Sequence, residues 1–365
     1  MADRITPEQL RPLLAGDTTF IDVRAPIEFA QGHVPGALNR PLMTDDERHR
    51  IGLCYKQQGQ KAAVALGHKL VSGDVKSQRV QAWLDAANPP QKTVLYCARG
   101  GMRSSISQGW MSEAGLDLPL VQGGYKTLRH TLIEQLQRFS ESADLIVVAG
   151  RTGSGKTKVI EAVNNALDLE ALANHRGSAF GRHTSPQPSQ ANFENAIAMA
   201  SLQLDLERPV IVEDESRNIG SVHLAQRLTE RIKVTQVVML EVSLEERLDV
   251  ILDDYVIGLQ AEYLQQFGDD GFERYRDYME SALQRVSRRL GGVLYQQVRS
   301  ELQHALQHQT LTGSLEAHRV WIESLLLHYY DRMYDHQLQK APRQVVFRGG
   351  RSEVIDFLNQ RQNGN

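Results

Sequence analysis

The segment Gly150-Arg151-Thr152-Gly153-Ser154-Gly155-Lys156-Thr157 constrains the fold more than any other part of the chain. It satisfies G-x-x-x-x-G-K-[ST] at every fixed position. Before it stands an unbroken apolar run, Leu145-Ile146-Val147-Val148-Ala149, and after it a helical pattern extends from about Lys156 to Leu167. A buried strand, a glycine-rich turn and a helix in that order aim backbone N–H groups and a helix N-terminus at one point. Such a cradle takes a diphosphate. Gly150 to Thr157 are therefore read as the phosphate-binding set, with Lys156 neutralising charge and Thr157 helping to hold Mg²⁺.

Val210-Ile211-Val212 and Val237-Val238-Met239-Leu240 are further buried-strand candidates for the same sheet. The first runs into Glu213-Asp214-Glu215, and an apolar strand ending in carboxylates is what a metal site beside a phosphate loop needs. Asp214 is the favoured Mg²⁺ partner, with Glu213 and Glu215 as alternatives. A phosphate loop fixes diphosphate binding better than it fixes a reaction.

The chain of 365 residues is long enough for two or three domains. Its 41% apolar and 23% charged residues are those of a globular protein, which excludes a disordered tail or a fibre. A net charge of -3 gives no global sign of nucleic acid, so any RNA site must rest on local basic patches. Cys54 and Cys97 are too few for a disulfide framework or a cysteine-based zinc site. The start lacks the apolar core of a signal peptide, and no apolar run approaches a membrane span. The expectation is a cytoplasmic protein with reduced thiols and no membrane contact.

Towards the N-terminus, Thr6-Pro7-Glu8-Gln9 reads as a helix start. Strands are expected at Thr19 to Val23, Thr93 to Tyr96 and Leu120-Val121, with helices over Ser104 to Ala114 and Lys126 to Ser140. Strands alternating with helices indicate a parallel α/β sheet. Between the second strand and its helix lies Cys97-Ala98-Arg99-Gly100-Gly101-Met102-Arg103-Ser104. Converging N–H groups, the helix N-terminus, Arg99 and Arg103 all favour an anion there. The same field favours thiolate at Cys97, making it a nucleophile. Cys97, Arg99, Gly100 and Arg103 are the candidate catalytic residues. Cys54, without such a loop, is read as structural.

Upstream stand Asp22-Val23-Arg24, Glu28-Phe29 and Gly32-His33-Val34-Pro35-Gly36-Ala37-Leu38-Asn39. With the cysteine loop they resemble the rhodanese domain, over roughly residues 10–138. That resemblance implies a chalcogen carried on Cys97 as a persulfide or perselenide. Sulfurtransferase members usually have one residue fewer between the cysteine and the arginine that closes the loop. The wider spacing resembles rhodanese-fold phosphatases and arsenate reductases. It fits a phosphate-bearing donor or an atom larger than sulfur.

The whole chain, end to end, resembles the bacterial tRNA 2-selenouridine synthase family. Further segments carry the likeness: Ile51 to Gly59, Leu169 to Gly181, Glu213 to Gly220, and Tyr329 to Asp335. The fold implied is α/β: a rhodanese-like parallel-sheet domain over residues 1–138, a P-loop NTPase-like core over 139–242, and a mostly helical region over 243–365. The substrate implied is tRNA for Lys, Glu and Gln with 2-thiouridine at the wobble position. Its sulfur is first alkylated by geranyl diphosphate, and the S-geranyl group is then displaced by selenium from selenophosphate through Cys97. Contact with a selenophosphate synthetase is a further expected partnership. His175 and Arg176 become candidate diphosphate or tRNA contacts.

From about Ser243 onward the pattern is mostly helical, interrupted near Gly268 to Gly271 and at Gly291-Gly292. Arg274, Arg276, Arg285, Arg288, Arg289 and Arg299 interleave with Tyr275, Tyr278 and Tyr295, a combination suited to phosphate pairing and base stacking. Lys340, Arg343, Arg348 and Arg351 form a second basic stretch. The apolar groove that a ten-carbon tail requires is expected in this helical region. Competing readings are an ATP-dependent RNA sulfurtransferase, a nucleotide-switched binding module and a phosphatase.

Overall fold

The computed structural model describes residues 3–87, 92–340 and 343–363, without the side chains of Gln337, Gln339 and Lys340. The chain divides into two compact units, Met1–Phe139 with Ser189–Gln203 and Ser140–Pro188 with Leu204–Asn365.

The first unit is built on β1 (Arg4–Ile5), β2 (Thr19–Asp22), β3 (Leu38–Asn39), β4 (Thr93–Tyr96) and β5 (Leu120–Val121). They pair in parallel in the order β1-β5-β4-β2-β3. β4, Thr-Val-Leu-Tyr, is buried throughout, as a central parallel strand covered on both faces must be. Asp22 and Arg24 are buried together at 2.6 Å. Arg24 also donates to Gly32 O (2.6 Å) and stands 4.0 Å from the Tyr125 ring centre. The Asp-Val-Arg signature thus fastens the Gly32–Ala37 turn to the sheet. Helix Gln190–Ser201 belongs to this unit too: Asn192 accepts from His33 N–H (2.8 Å) and Asn195 donates to His33 O (2.6 Å).

Two helices, Asp45–Leu70 and Gly73–Ala86, stand between β3 and β4. The first bends at Gly59, whose φ of +82° is open chiefly to glycine. Cys54 is free and half-buried on this helix, away from any turn of the Cys97 kind.

The second unit holds β6 (Leu145–Ala149), β7 (Ala166–Leu167), β8 (Val210–Glu213), β9 (Asn218–Ile219), β10 (Val222–His223), β11 (Val237–Leu240) and β12 (Val345–Gly349). β9 and β10 form a separate antiparallel pair, and the others form a parallel sheet ordered β12-β11-β6-β8-β7. One expectation changes here. The helix after the phosphate loop ends at Ala162, not Leu167. Asn165 turns its side chain to Asp205 O (2.9 Å) and Pro209 O (3.1 Å), and Ala166–Leu167 pairs with β8 instead. The C-terminal region is mostly helical, as expected, and its one described strand, Val345–Gly349, pairs with β11 at the sheet edge.

The helices between residues 244 and 330 share a core of Tyr255, Tyr275, Met279, Leu283, Val286, Trp321 and their neighbours, while Lys156–Ala162 and Arg351–Gln362 pack on the sheet. Breaks fall where the glycines stand, with Gly291 (φ +76°) separating helices Gly271–Leu290 and Gly292–Thr312. Wider π-type turns occupy Leu252–Gly258 and Leu326–Tyr330, a local irregularity common beside functional sites. In each parallel sheet the chemistry-bearing loop leaves the C-terminal end of an inner strand, β4 or β6, where open α/β sheets bind ligands.

Candidate active sites

Cys97 follows β4 directly, and helix Met102–Glu113 begins five residues later. The loop between is clamped by main chain: Tyr125 N–H donates to Cys97 O (2.7 Å) and Lys126 N–H to Ala98 O (3.0 Å). Gly100 has φ +61°, and a Cβ there would stand 2.7 Å from Gly123 N. Glycine is required on both counts.

Cys97 Sγ is buried, 3.2 Å from Ser104 Oγ. Burial pushes the thiol up, but the Ser104 hydroxyl and the N–H groups of Arg99, Ser104 and Gly101 outweigh it, leaving Cys97 below its ordinary value. The thiolate therefore persists to lower pH than in a free thiol. Alkylation of Cys97 by iodoacetamide, located by peptide mass, should reach half its maximal rate below the ~8.5 of free cysteine. Ser104→Ala should move that midpoint up. A midpoint at or above the free value would remove the loop's activating role.

The expected arginines diverge. Arg99 is exposed and lines a cavity of about 1360 Å³ with Arg11, Tyr125 and Lys126. Arg103 instead gives both terminal nitrogens to Glu28 (2.6 and 3.1 Å), which also pairs with Arg48 at 2.9 Å. Burial raises the Glu28 carboxyl, yet the two arginines hold it below its usual range. Glu28 thus fixes where Arg103 sits. Ser104 was missed by sequence reasoning, although a hydroxyl in the first helical turn after the loop was a usable signal.

In the second unit, β6 leads into the phosphate loop and helix Lys156–Ala162. Gly155 has φ +81°, and the space a Cβ would fill receives the Arg351 guanidinium, with Nη2 3.0 Å away. Lys156 Nζ donates to Gly150 O (3.3 Å) and Thr157 Oγ1 to Glu170 (3.2 Å). Arg247, buried, donates to Thr152 O (2.9 Å) and pairs with Asp331 at 2.6 Å, tying the loop to helix Asp331–Lys340. Arg151 is held by Asp331 (3.0 Å) and Asp335 (2.9 Å), so its charge is already matched.

The carboxylates facing Lys156 and Thr157 are Glu170 and Glu215, in a cavity of about 420 Å³ that His175 and Arg176 also line. Burial and the neighbouring Glu170 push Glu215 up to about 8, with Lys156 opposing; burial raises Glu170 as well. Glu213, deeply buried, is raised well above the usual range and accepts from Leu169 N–H (2.8 Å). Asp214, the expected Mg²⁺ partner, is paired with Arg343 instead. The strand end turns Glu215 inward, and the segment after the loop brings Glu170, which sequence reasoning had not singled out.

His175 is pushed down to about 4, first by burial and then by Arg182, His183, Arg285 and Arg176. It is neutral at pH 7. Its Nδ1, Ser154 Oγ and Arg176 Nη1 are buried without a hydrogen-bond partner among the described residues. Arg176 Nη2 is anchored by Glu262 (2.7 Å), leaving Nη1 for a ligand.

Arg274, Arg276, Arg285, Arg288, Arg289 and Arg299 are exposed. Tyr275 is not available for base stacking, because its ring is fully buried in the helical core. Tyr278 and Tyr295 are partly exposed. Of the second basic stretch, Arg343 and Arg348 are paired with Asp214 and Glu241, and the Lys340 side chain lies outside the described residues. No described helix is long and apolar enough to cross a membrane.

A parallel sheet with an activated cysteine loop, followed by a parallel sheet with a phosphate loop, defines a rhodanese-like domain joined to a P-loop domain. The rhodanese-like domain family matches residues 6–131, and the tRNA 2-selenouridine synthase AAA domain matches residues 143–365. A tRNA 2-selenouridine synthase from Marinobacter nauticus is 46% identical, covering 99% of both chains. Another, from Alcanivorax borkumensis, is 48% identical over 96% of this chain and 97% of its own. A third, from Pseudomonas fluorescens, is 46% identical over the same shares. The chain belongs to the tRNA 2-selenouridine synthase family.

Proposed function

We propose that this protein converts wobble 2-thiouridine to 2-selenouridine in tRNA for Lys, Glu and Gln, by geranylation and then selenium transfer. The observation that carries this reading is that each unit has its own candidate site, one a P-loop cradle lined by Lys156 and Thr157 and one a buried cysteine whose thiol pKa is lowered. Alkylation makes sulfur a leaving group, which a free thiocarbonyl is not. In the first step the base sulfur attacks C1 of geranyl diphosphate, the C–O bond breaks, and diphosphate leaves in the P-loop cradle. Lys156 and the loop N–H groups take up its charge, and Arg176 Nη1 and neutral His175 Nδ1 line the same cavity.

The donor set also fits Mg²⁺. Thr157, Glu170 and Glu215 offer hard oxygens, and Mg²⁺ characteristically takes one or two carboxylates together with substrate phosphates. Bound there, it would supply further neutralisation of the departing diphosphate. Among the described residues no three His, Cys, Asp or Glu side chains form a complete metal site, so phosphate oxygens would complete the shell. In the second step selenophosphate loses its phosphate to water and its selenium is taken up on Cys97 as a perselenide, with a disulfide as the two-electron oxidant. The terminal selenium attacks C2, geranylthiolate leaves, and a thiol then cleaves the Se–S bond, freeing 2-selenouridine and Cys97 and regenerating the disulfide. A selenophosphate synthetase is the natural supplier of that donor, and the reaction is cytoplasmic.

The test uses the full chain, 2-thiouridine tRNA, Mg²⁺, geranyl diphosphate and selenophosphate, followed by nucleoside mass analysis. S-geranyl-2-thiouridine should appear first and 2-selenouridine after it, and omitting geranyl diphosphate should abolish both. Selenouridine formed without the prenyl donor, or ATP turnover in its place, would sink the two-step reading.

A further inference from the structure

The first unit contains a cavity of about 240 Å³ between helices Asp45–Leu70 and Met102–Glu113. Its walls are mainly apolar, with Leu42, Ile51, Val64, Val71, Ile106 and Trp110 prominent. Tyr55 and Met102 on its lining are 58% and 46% exposed, so the space opens to solvent. Met102 and Arg103 begin the helical turn whose next residue, Ser104, contacts the Cys97 sulfur. Cys97 also packs in one apolar cluster with Leu42 and Val71, against which Met43, Ile106 and Trp110 lie. The cavity thus shares Met102 and Arg103 with the turn that ends the Cys97 loop.

We propose that this cavity holds the geranyl tail of the S-geranylated base during selenium transfer, an assignment that rests on the two-step reading above. In that step the C2–Se bond forms and the C2–S bond breaks, its electron pair leaving on sulfur as geranylthiolate, after which a thiol cleaves the Se–S bond to Cys97 and leaves the selenium on the base. Reacting atoms must approach to about 3–3.5 Å. Sulfur and the first tail carbon are the next two atoms, so the tail starts beside the Cys97 loop however the base is oriented. Ten apolar carbons then need cover close to that loop. An apolar cavity of about 150 Å³ takes the six carbons of benzene, so by proportion this one has room for roughly ten. On this proposal the tail is covered in the cysteine unit during selenium transfer.

The probes are two anticodon stem-loops, one with 2-thiouridine and one with S-geranyl-2-thiouridine at the wobble position, titrated against the full chain. The wild-type chain should bind the geranylated probe about tenfold tighter or more, as burial of an alkyl chain requires. Val64→Trp, which fills the cavity, should bring the two affinities close to parity. Tyr55→Ser, at an exposed position that cannot unfold the core, should weaken the preference in the same direction. Leu264→Asp, on the exposed face of a C-terminal helix, should leave it intact. A preference retained in both Val64→Trp and Tyr55→Ser, or removed by Leu264→Asp alone, overturns the subsite and leaves the two-step reading standing. A wild-type chain that forms no S-geranyl product overturns the reading itself.

Discussion

Cys97→Ser should abolish 2-selenouridine formation while S-geranyl-2-thiouridine accumulates. The substitution is close to isosteric, and the site is prepared for it. The sulfur is buried, its contact with Ser104 is polar, and the loop is held by main-chain bonds from Tyr125 and Lys126 that do not involve the side chain. Folding should therefore survive. The chemistry should not, because the N–H groups and Ser104 that lower the thiol cannot bring a serine hydroxyl into its anionic form near neutral pH. Losses of about 10³-fold or more are usual when a covalent nucleophile is removed. The P-loop site has no part of Cys97 in it, so geranylation should continue and its product build up. Nucleoside mass analysis of tRNA from cells carrying each form reads both species at once. Unchanged selenouridine would remove Cys97 from the mechanism, and loss of both modifications in a stably folded variant would mean that the two steps share one centre.

The two loops were legible because glycine and apolar runs leave few alternatives. Gly100 and Gly155 sit at positive φ where the chain folds back on other groups, and β4 and β6 read as continuous apolar strands because both their faces are covered. What escaped were features decided by tertiary register. β12 is five residues in a basic stretch, and only pairing with β11 makes it a strand. Which carboxylate faces Lys156 and Thr157 could not be chosen among Glu213, Asp214 and Glu215, because that depends on how the chain leaves β8 and on Glu170 arriving from another segment. Helix Gln190–Ser201 carries no mark in its sequence that it belongs with the first unit. Tyr275 is different. Its spacing to Met279, Ala282, Leu283 and Val286 is that of one buried helical face, so its burial was available from the pattern.

Lys156→Ala should cut geranylation by about 10²-fold or more, the scale expected when a preorganised charge stabilising a leaving group is lost. Lys156 faces two problems at once. It is the cation that opposes the raised values of Glu170 and Glu215, and on the proposed reading it is the side chain that meets the diphosphate. Without it, both carboxylates shift further toward the protonated form, which weakens them as metal ligands, and the diphosphate loses its nearest point charge. The two effects act in the same direction, so the loss should exceed what raising Mg²⁺ concentration restores. Selenium transfer to tRNA supplied already geranylated should be unaffected, since that step needs no diphosphate to leave. The comparison therefore takes one variant and two substrates: 2-thiouridine tRNA with geranyl diphosphate, and pre-geranylated tRNA with selenophosphate. Failure with the first and normal turnover with the second assigns diphosphate departure to the P-loop. Failure with both, in a variant whose thermal unfolding matches wild type, would show that the P-loop also serves the selenium step and that the two units do not divide the chemistry as proposed.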